Sequence, residues 1–162
     1  MVVEIESLNG GGTVTITDEE WTAFTGTIRG KIVLPADDDY DSCREIWNKM
    51  IDKKPACIVQ CTGTADVVAC VNFASQHGFI TSIRGGGHNI AGKSLKDGAM
   101  CIDLSTLRAV FVDPTNKTVT VSPGATIGDV DHETKEYGLA LPMGVNSTTG
   151  VAGLTLGGGF GW

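Results

Sequence analysis

RGGGHNIAGKS, residues 84–94, carries two readings at once. Gly87, Gly92, Lys93 and Ser94 spell G-x-x-x-x-G-K-[ST], the pattern of a phosphate-binding P-loop. A working P-loop has a strand before it and a helix after it, and the N–H groups and dipole at the start of that helix hold the phosphates. The strand is expected from FITSIR, residues 79–84. The helix is not. Ser94 is followed by Leu95, Lys96, Asp97 and Gly98, and Asp97-Gly98 is a turn signal leading straight into the apolar run AMCIDL. That run ends in Asp103, as a magnesium-holding strand would, but it arrives too soon for a crossover of about a dozen residues. The dinucleotide pattern G-x-G-x-x-G also fails, because Ile90 stands where its third glycine belongs. What remains is Arg84, Gly85, Gly86, Gly87, His88 and Asn89, directly after a strand. Consecutive glycines can turn successive N–H groups toward one point, a concavity suited to an anion such as a diphosphate. Arg84 either adds charge there or ends the strand in solvent. His88 offers a nucleophilic imidazole, although a single histidine in a glycine loop also has a purely structural reading.

Working outward, strands and helices of modest length surround this loop. Thr17 and Glu20 have capping-box spacing, and Trp21, Phe24 and Ile28 give the helix after them one apolar face. Residues 31–35 read as a short strand or linker. Residues 39–51 read as a second helix, with Tyr40, Cys43, Ile46, Trp47 and Met50 as its buried stripe. Residues 56–61 read as a strand, and residues 64–77 as a helix stopped by Gly78, with Val67, Val71 and Ala74 on one face. After residues 99–104, a hairpin is expected from residues 108–112 and 118–121 around Pro114-Thr115-Asn116. Residues 126–137 read as a helix with Ile127, Val130, Thr134 and Tyr137 on one side, and Thr126 and Asp129 at its start resemble a capping arrangement. From Pro142 onward the chain is rich in glycine and threonine with weak periodicity. The order of elements suggests an α+β domain rather than a repeated βαβ array. Two parts are expected, a helical segment over residues 1–54 and a second part over residues 55–162.

Composition narrows the partners. A net charge of −7 and a pI near 4.8 argue against nucleic acid and anionic membrane, both of which attract basic surfaces. No apolar run approaches the ~20 residues of a membrane span. The start MVVEIESL lacks the basic and apolar regions of a signal peptide, so a cytoplasmic location is expected. The five cysteines, an odd number without metal-ligand spacing, read as buried reduced thiols. No metal site is expected. Glycine is the outlier: 22 residues, about twice the usual ~7% share, gathered into clusters. Other titratable groups have structural readings: His77 at a helix C-terminus, His132, Asp129, Asp131 and Glu133 on an exposed face, and Asp103 capping the turn at Ser105.

Four segments in order resemble a known family: RGGGHNIAG, CIDLS, VSPGATIGDV and STTGVAGLTLGGGFGW. Together they are similar to the FAD-binding domain of FAD-linked oxidases, the family of vanillyl-alcohol oxidase and p-cresol methylhydroxylase. The similarity is closest to its microbial berberine bridge enzyme-like branch. The resemblance implies an α+β, p-cresol methylhydroxylase-type FAD-binding domain that is incomplete at the C-terminus, with FAD as cofactor and a small-molecule substrate. Arg84, Gly85, Gly86, Gly87, His88 and Asn89 would form the diphosphate loop, with Gly92 nearby. His88 would carry a covalent bond to the 8α carbon of the flavin. Ser147, Thr148, Thr149, Gly150, Val151, Gly153 and Leu154 would line the cofactor, with Val151 near the reactive face of the ring. Some members attach FAD a second time through a cysteine. Asn146 stands at that position here and no cysteine follows Cys101, which implies single attachment through His88. The implied activity is hydride transfer to flavin from an alcohol, sugar or similar C–H donor. No catalytic base can be assigned, because the family's acid–base residues would lie beyond Trp162. The alternatives are a non-catalytic fragment that cannot hold FAD and a P-loop nucleotide hydrolase. Oligomeric state has no signal in the sequence.

Overall fold

The computed structural model describes residues 3–159. Phe160, Gly161 and Trp162, the end of the fourth segment, lie outside the described residues. The chain opens with an antiparallel hairpin of β1 (Val3–Glu6) and β2 (Thr13–Ile16), in which Val3 faces Ile16 across the pair. Helix α1 (Asp18–Thr25) follows with the expected capping box: Glu20 N–H donates to Thr17 Oγ1, and Thr17 N–H donates to the Glu20 carboxylate at 2.9 Å. The main sheet has the order β3 (Lys31–Val33), β4 (Cys57–Gln60), β6 (Met100–Asp103), β5 (Thr81–Arg84). The last three run parallel, and β3 pairs antiparallel with β4. Central strands of such a sheet are covered on both faces, and CIVQ and MCID have the matching apolar runs; all four residues of β6 are buried. Residues 1–54, expected to be helical, therefore hold three strands, one of which joins the main sheet.

Helix α3 (Thr64–His77) links β4 to β5 and stops at Gly78, whose φ of 68° is the left-handed stop expected from the sequence. On its face Ala74 is buried and Val67 half-buried, while Val71 stays exposed. Asp66, buried in its first turn, ties two elements together. Its carboxylate accepts from Thr62 N–H at 2.8 Å, Thr62 Oγ1 at 2.9 Å, Arg29 N–H at 2.9 Å and Gly30 N–H at 3.2 Å. Burial pushes this carboxyl up, but those hydrogen bonds outweigh it and hold it below the usual range. The aromatic centre lies on the same side of the sheet, where Phe24 stacks on Phe73 with ring centroids 4.2 Å apart.

A second hairpin, β7 (Val110–Asp113) with β8 (Thr118–Val121), precedes helix α4 (Ile127–Thr134) and a 3₁₀ turn, Lys135–Tyr137. Thr126 and Asp129 make a complete capping box at the start of α4. Ile127, Val130 and Thr134 are buried as expected, but Tyr137, past the end of α4, is exposed. Helix α5 (Val151–Leu156) lies where weak periodicity gave no helix signal.

The expected helix over residues 39–51 is the largest correction. Only α2 (Tyr40–Cys43) forms. In a continuing helix Trp47 N–H would donate to Cys43 O. Instead Arg84 Nη1 donates to Cys43 O, and Trp47 N–H donates to Gly87 O at 3.1 Å. Tertiary partners take the groups that the helix needed. Tyr40 and Ile46 are buried, but Trp47 is 59% exposed and Met50 92% exposed. Four of the five cysteines are buried free thiols, and burial pushes the Cys101 thiol up to about 12. Cys43 is half-buried. Among the described residues no helix is long and apolar enough to cross a membrane.

Candidate functional site

Arg84 ends β5 and Asp103 ends β6, and the two are partners in the strand register. The chain leaves both strands at the same edge of a parallel sheet, the edge where such folds place ligands. A cleft of about 530 Å³ opens there. The glycine loop forms one wall through Gly85, Gly86, Gly87 and His88. Ser105, Arg108, Gly124 and Thr126 face it, and residues 42–47 close a third side.

Among the described residues, the N–H groups of Gly85, Gly86, Gly87 and His88 have no hydrogen-bond partner. Gly87 has φ +66°, which reverses the local curl of the chain. Gly86 is glycine for a different reason: a Cβ there would lie 2.5 Å from Gly150 Cα, so the loop touches the start of α5 backbone to backbone. Four adjacent donors without partners suit a multiply charged anion, and they fit the diphosphate that the sequence suggests.

Arg84 does not do what its position suggested. It neither ends the strand in solvent nor offers free charge. It is only 7% exposed; its Nε donates to Asp103 Oδ1 at 3.0 Å, and its Nη2 donates to Asp103 Oδ2. Nη1 donates to Cys43 O and, at 3.4 Å, to Glu45 O. Burial works against the charge, and Asp103 more than offsets it, so the guanidinium stays firmly protonated. Arg84 is the beam under the loop, fastening β5 to β6 and to residues 43–45. Asp103 also accepts from Ser105 N–H at 3.1 Å, the expected turn cap. Arg108 on the facing wall is paired bidentately with Asp129, so neither arginine is an unpaired cation.

His88 is half-buried on the cleft wall. Among the described residues its ring makes no hydrogen bond; it stacks on Trp47, with centroids 5.4 Å apart and planes inclined by 24°. Asn89 closes the next turn: its Oδ1 accepts from Lys93 N–H at 3.0 Å and its carbonyl from Gly92 N–H at 2.9 Å. Gly92 has φ +65°, is packed against Ile51, and gives its carbonyl to Lys53 Nζ at 3.0 Å, outside the cleft. Lys93 is exposed, and Ser94 is half-buried rather than a surface residue. The chain from Ser94 to β6 runs through turns without a helix, as expected.

Residues 147–154 are not brought into the cleft. Ser147 O and Thr149 O accept from Gly128 and Ile127 N–H at 2.8 and 2.9 Å, so this backbone is engaged with the start of α4. Ser147 and Thr148 are exposed, and Thr148 N–H and Oγ1 both donate to Asn146 Oδ1. Val151 is 6% exposed and packs with Ile127 and Val130, with Leu154 against the same cluster. Its side chain packs into that cluster. Gly153 is exposed. Gly150, with the Thr149 carbonyl carbon beside it, reaches the glycine loop. The residues missed at the site are Trp47, Ser105, Arg108, Gly124 and Thr126. For Gly124 and Thr126 the signal was the segment VSPGATIGDV, while Trp47 was hidden by its helical spacing.

Comparison with known proteins bears on this arrangement. Residues 55–162 match the family described as FAD binding domain. The (R)-6-hydroxynicotine oxidase of Paenarthrobacter nicotinovorans is 31% identical over 84% of this chain and 30% of its own. A solved berberine bridge enzyme-like protein of Physcomitrella patens superposes with a TM-score of 0.80 at 27% identity, over 86% of this chain and 31% of its own. Phl p 4, a grass pollen allergen with glucose dehydrogenase activity, gives 0.77 at 28% identity, over 85% and 32%. The chain spans about a third of the length of the curated relatives it matches.

Proposed function

The chain belongs to the FAD binding domain family, whose members include FAD-linked oxidoreductases, and we propose that its cleft holds the diphosphate of FAD on residues 85–88, with His88 as the covalent attachment point. The observation that carries this reading is the run of four unengaged N–H groups beside a histidine whose ring is free of hydrogen bonds. The loop amides supply fixed dipoles to an anion, and they are held in place before it arrives, which lowers the ordering cost of binding. Arg84 and Asp103 keep the loop at the sheet edge. Ser105 and Thr126 bring hydroxyls to the facing wall. Bound FAD would supply hydride acceptance from a C–H donor, and attachment to protein tunes such a cofactor.

In the whole protein the donor is an alcohol, a sugar or a similar small molecule. The glucose dehydrogenase activity of Phl p 4 supports a sugar-like donor. With Asn146 at the second attachment position, His88 is the single anchor.

The test is direct. The protein is incubated with FAD, denatured in acid and run on a gel. Flavin fluorescence in the protein band is expected for wild type and is lost in His88→Ala, while His88→Ala still takes up FAD reversibly. A colourless wild-type protein that takes up no added FAD sinks the reading.

A further inference from the structure

We propose that Trp47 is the positioning residue for His88: its indole face fixes the plane of the imidazole and leaves the ring's nitrogen edge open to the cleft. The inference rests on the attachment role proposed above for His88.

Three observations lead here. Trp47 is a large aromatic residue that is 59% exposed and belongs to none of the core clusters, so its packing role in the core is small. Its ring contact is with His88, an offset stack with planes inclined by 24°. The segment that carries it is fastened to the loop on both sides of that histidine. Trp47 N–H donates to Gly87 O at 3.1 Å, and Asn48 Nδ2 donates to Ile90 O at 2.8 Å. Arg84 holds the carbonyls of Cys43 and Glu45 from below. The indole is thus presented to the imidazole by a segment locked to the loop itself.

The chemistry favours a stack over a hydrogen bond. Imidazole nitrogens lie in the edge of the ring, and a partner that orients the ring by hydrogen bonding occupies one of them. A face contact orients the plane and occupies neither. Among the described residues no protein atom hydrogen-bonds the His88 ring, so the stack is what fixes its plane. In attachment the imidazole nitrogen would bond to the 8α carbon as a C–H bond there breaks, the proton passing to solvent and the electron pair to the flavin, which dissolved dioxygen would reoxidise. A nucleophile held in the plane of attack reacts faster than one that samples several planes.

The experiment uses wild type, Trp47→Leu and Trp47→Phe in two arms. Without cofactor, NMR of the histidine ring protons reads the stack. The indole ring current places the His88 protons upfield; Trp47→Leu moves them downfield, and Trp47→Phe moves them part of the way. With FAD, in-band fluorescence after acid denaturation reads attachment. Trp47→Leu is expected to form the covalent product more slowly, by on the order of tenfold, a larger fall than any in reversible FAD uptake, with Trp47→Phe restoring most of the rate. Unmoved His88 resonances overturn the proposal. So does an equal loss of reversible uptake and attachment, which makes Trp47 only a wall of the cleft. A wild type that takes up no FAD, or only releases it, defeats the functional reading instead, and the NMR arm still decides Trp47. If Trp47→Leu fails to fold, Trp47→Phe and the nuclear Overhauser contact between the two rings in wild type decide.

Discussion

Residues 85–88 and residues 89–94 adjoin in one glycine-rich stretch, yet only the first lines the cleft. In the first part four N–H groups are left unengaged at a cleft. In the second, Asn89 closes its own turn, Gly92 is held by Lys53, and Ile51 fills the space beside it. The second part completes the P-loop spelling, but it lies outside the cleft; Gly92 and Lys93 N–H donate back to Asn89, while among the described residues the Ser94 hydroxyl is buried without a partner. Capacity to bind needs unpaired groups that also face a cleft, and a pattern of letters does not report that.

The contrast can be broken from beneath. Asp103→Ala leaves the buried Arg84 cation without its partner, and the expected loss is about 3–5 kcal/mol of stability, read by chemical denaturation. Asp103→Leu with Arg84→Met is expected to return much of that stability while detaching residues 43–45, so FAD uptake should stay impaired. A second test sharpens the contrast between glycines. Gly86→Ala puts a methyl into the Gly150 backbone and is expected to cost about 1–3 kcal/mol and most FAD uptake. Gly92→Ala forces a left-handed alanine against Ile51 and is expected to cost at least about 1–2 kcal/mol, with FAD uptake kept below its lowered melting temperature. Equal losses of uptake in the two variants would erase the distinction.

Asp66 is an engaged group outside the cleft lining. Its carboxyl is held below the usual range, so its contribution is present above the unfolded value of about 3.9 and is lost as pH falls through the folded value. Asp66→Asn is expected to lose about 1–3 kcal/mol at pH 7. Its deficit against wild type should shrink as pH drops below about 4, which thermal melts across pH will show. The smallest effect belongs to the residue that spelling made prominent. Lys93→Ala is expected to change stability by less than about 0.5 kcal/mol and to leave FAD uptake unaltered. A clear loss of uptake would return the second part of the stretch to the site.

Local rules carried much of the sequence reading. The capping boxes at Thr17 and Thr126, the Gly78 stop and the absent helix after Ser94 all depend on neighbours within a few residues, and all are in the structure. The losses came from distant partners. Trp47 sat at helical spacing with Tyr40 and Cys43, but Arg84 and Gly87 took the backbone groups that such a helix requires. Arg84 looked free because Asp103, its register partner, is on another strand. The hairpin of β1 and β2 has short strands and a loop of several residues, and α5 begins among glycines, so neither gave a strong period. Of the residues lining the cleft, the sequence singled out the loop and His88. Which wall faced them depended on the sheet edge.

The touch between Gly86 and Gly150 has a temporal consequence. During synthesis the loop leaves the ribosome well before Gly150 does, and until that later glycine docks, one side of the loop has nothing to rest on. The loop matures only when the chain closes back over it, so competence to receive a cofactor is among the last properties this part of the molecule acquires.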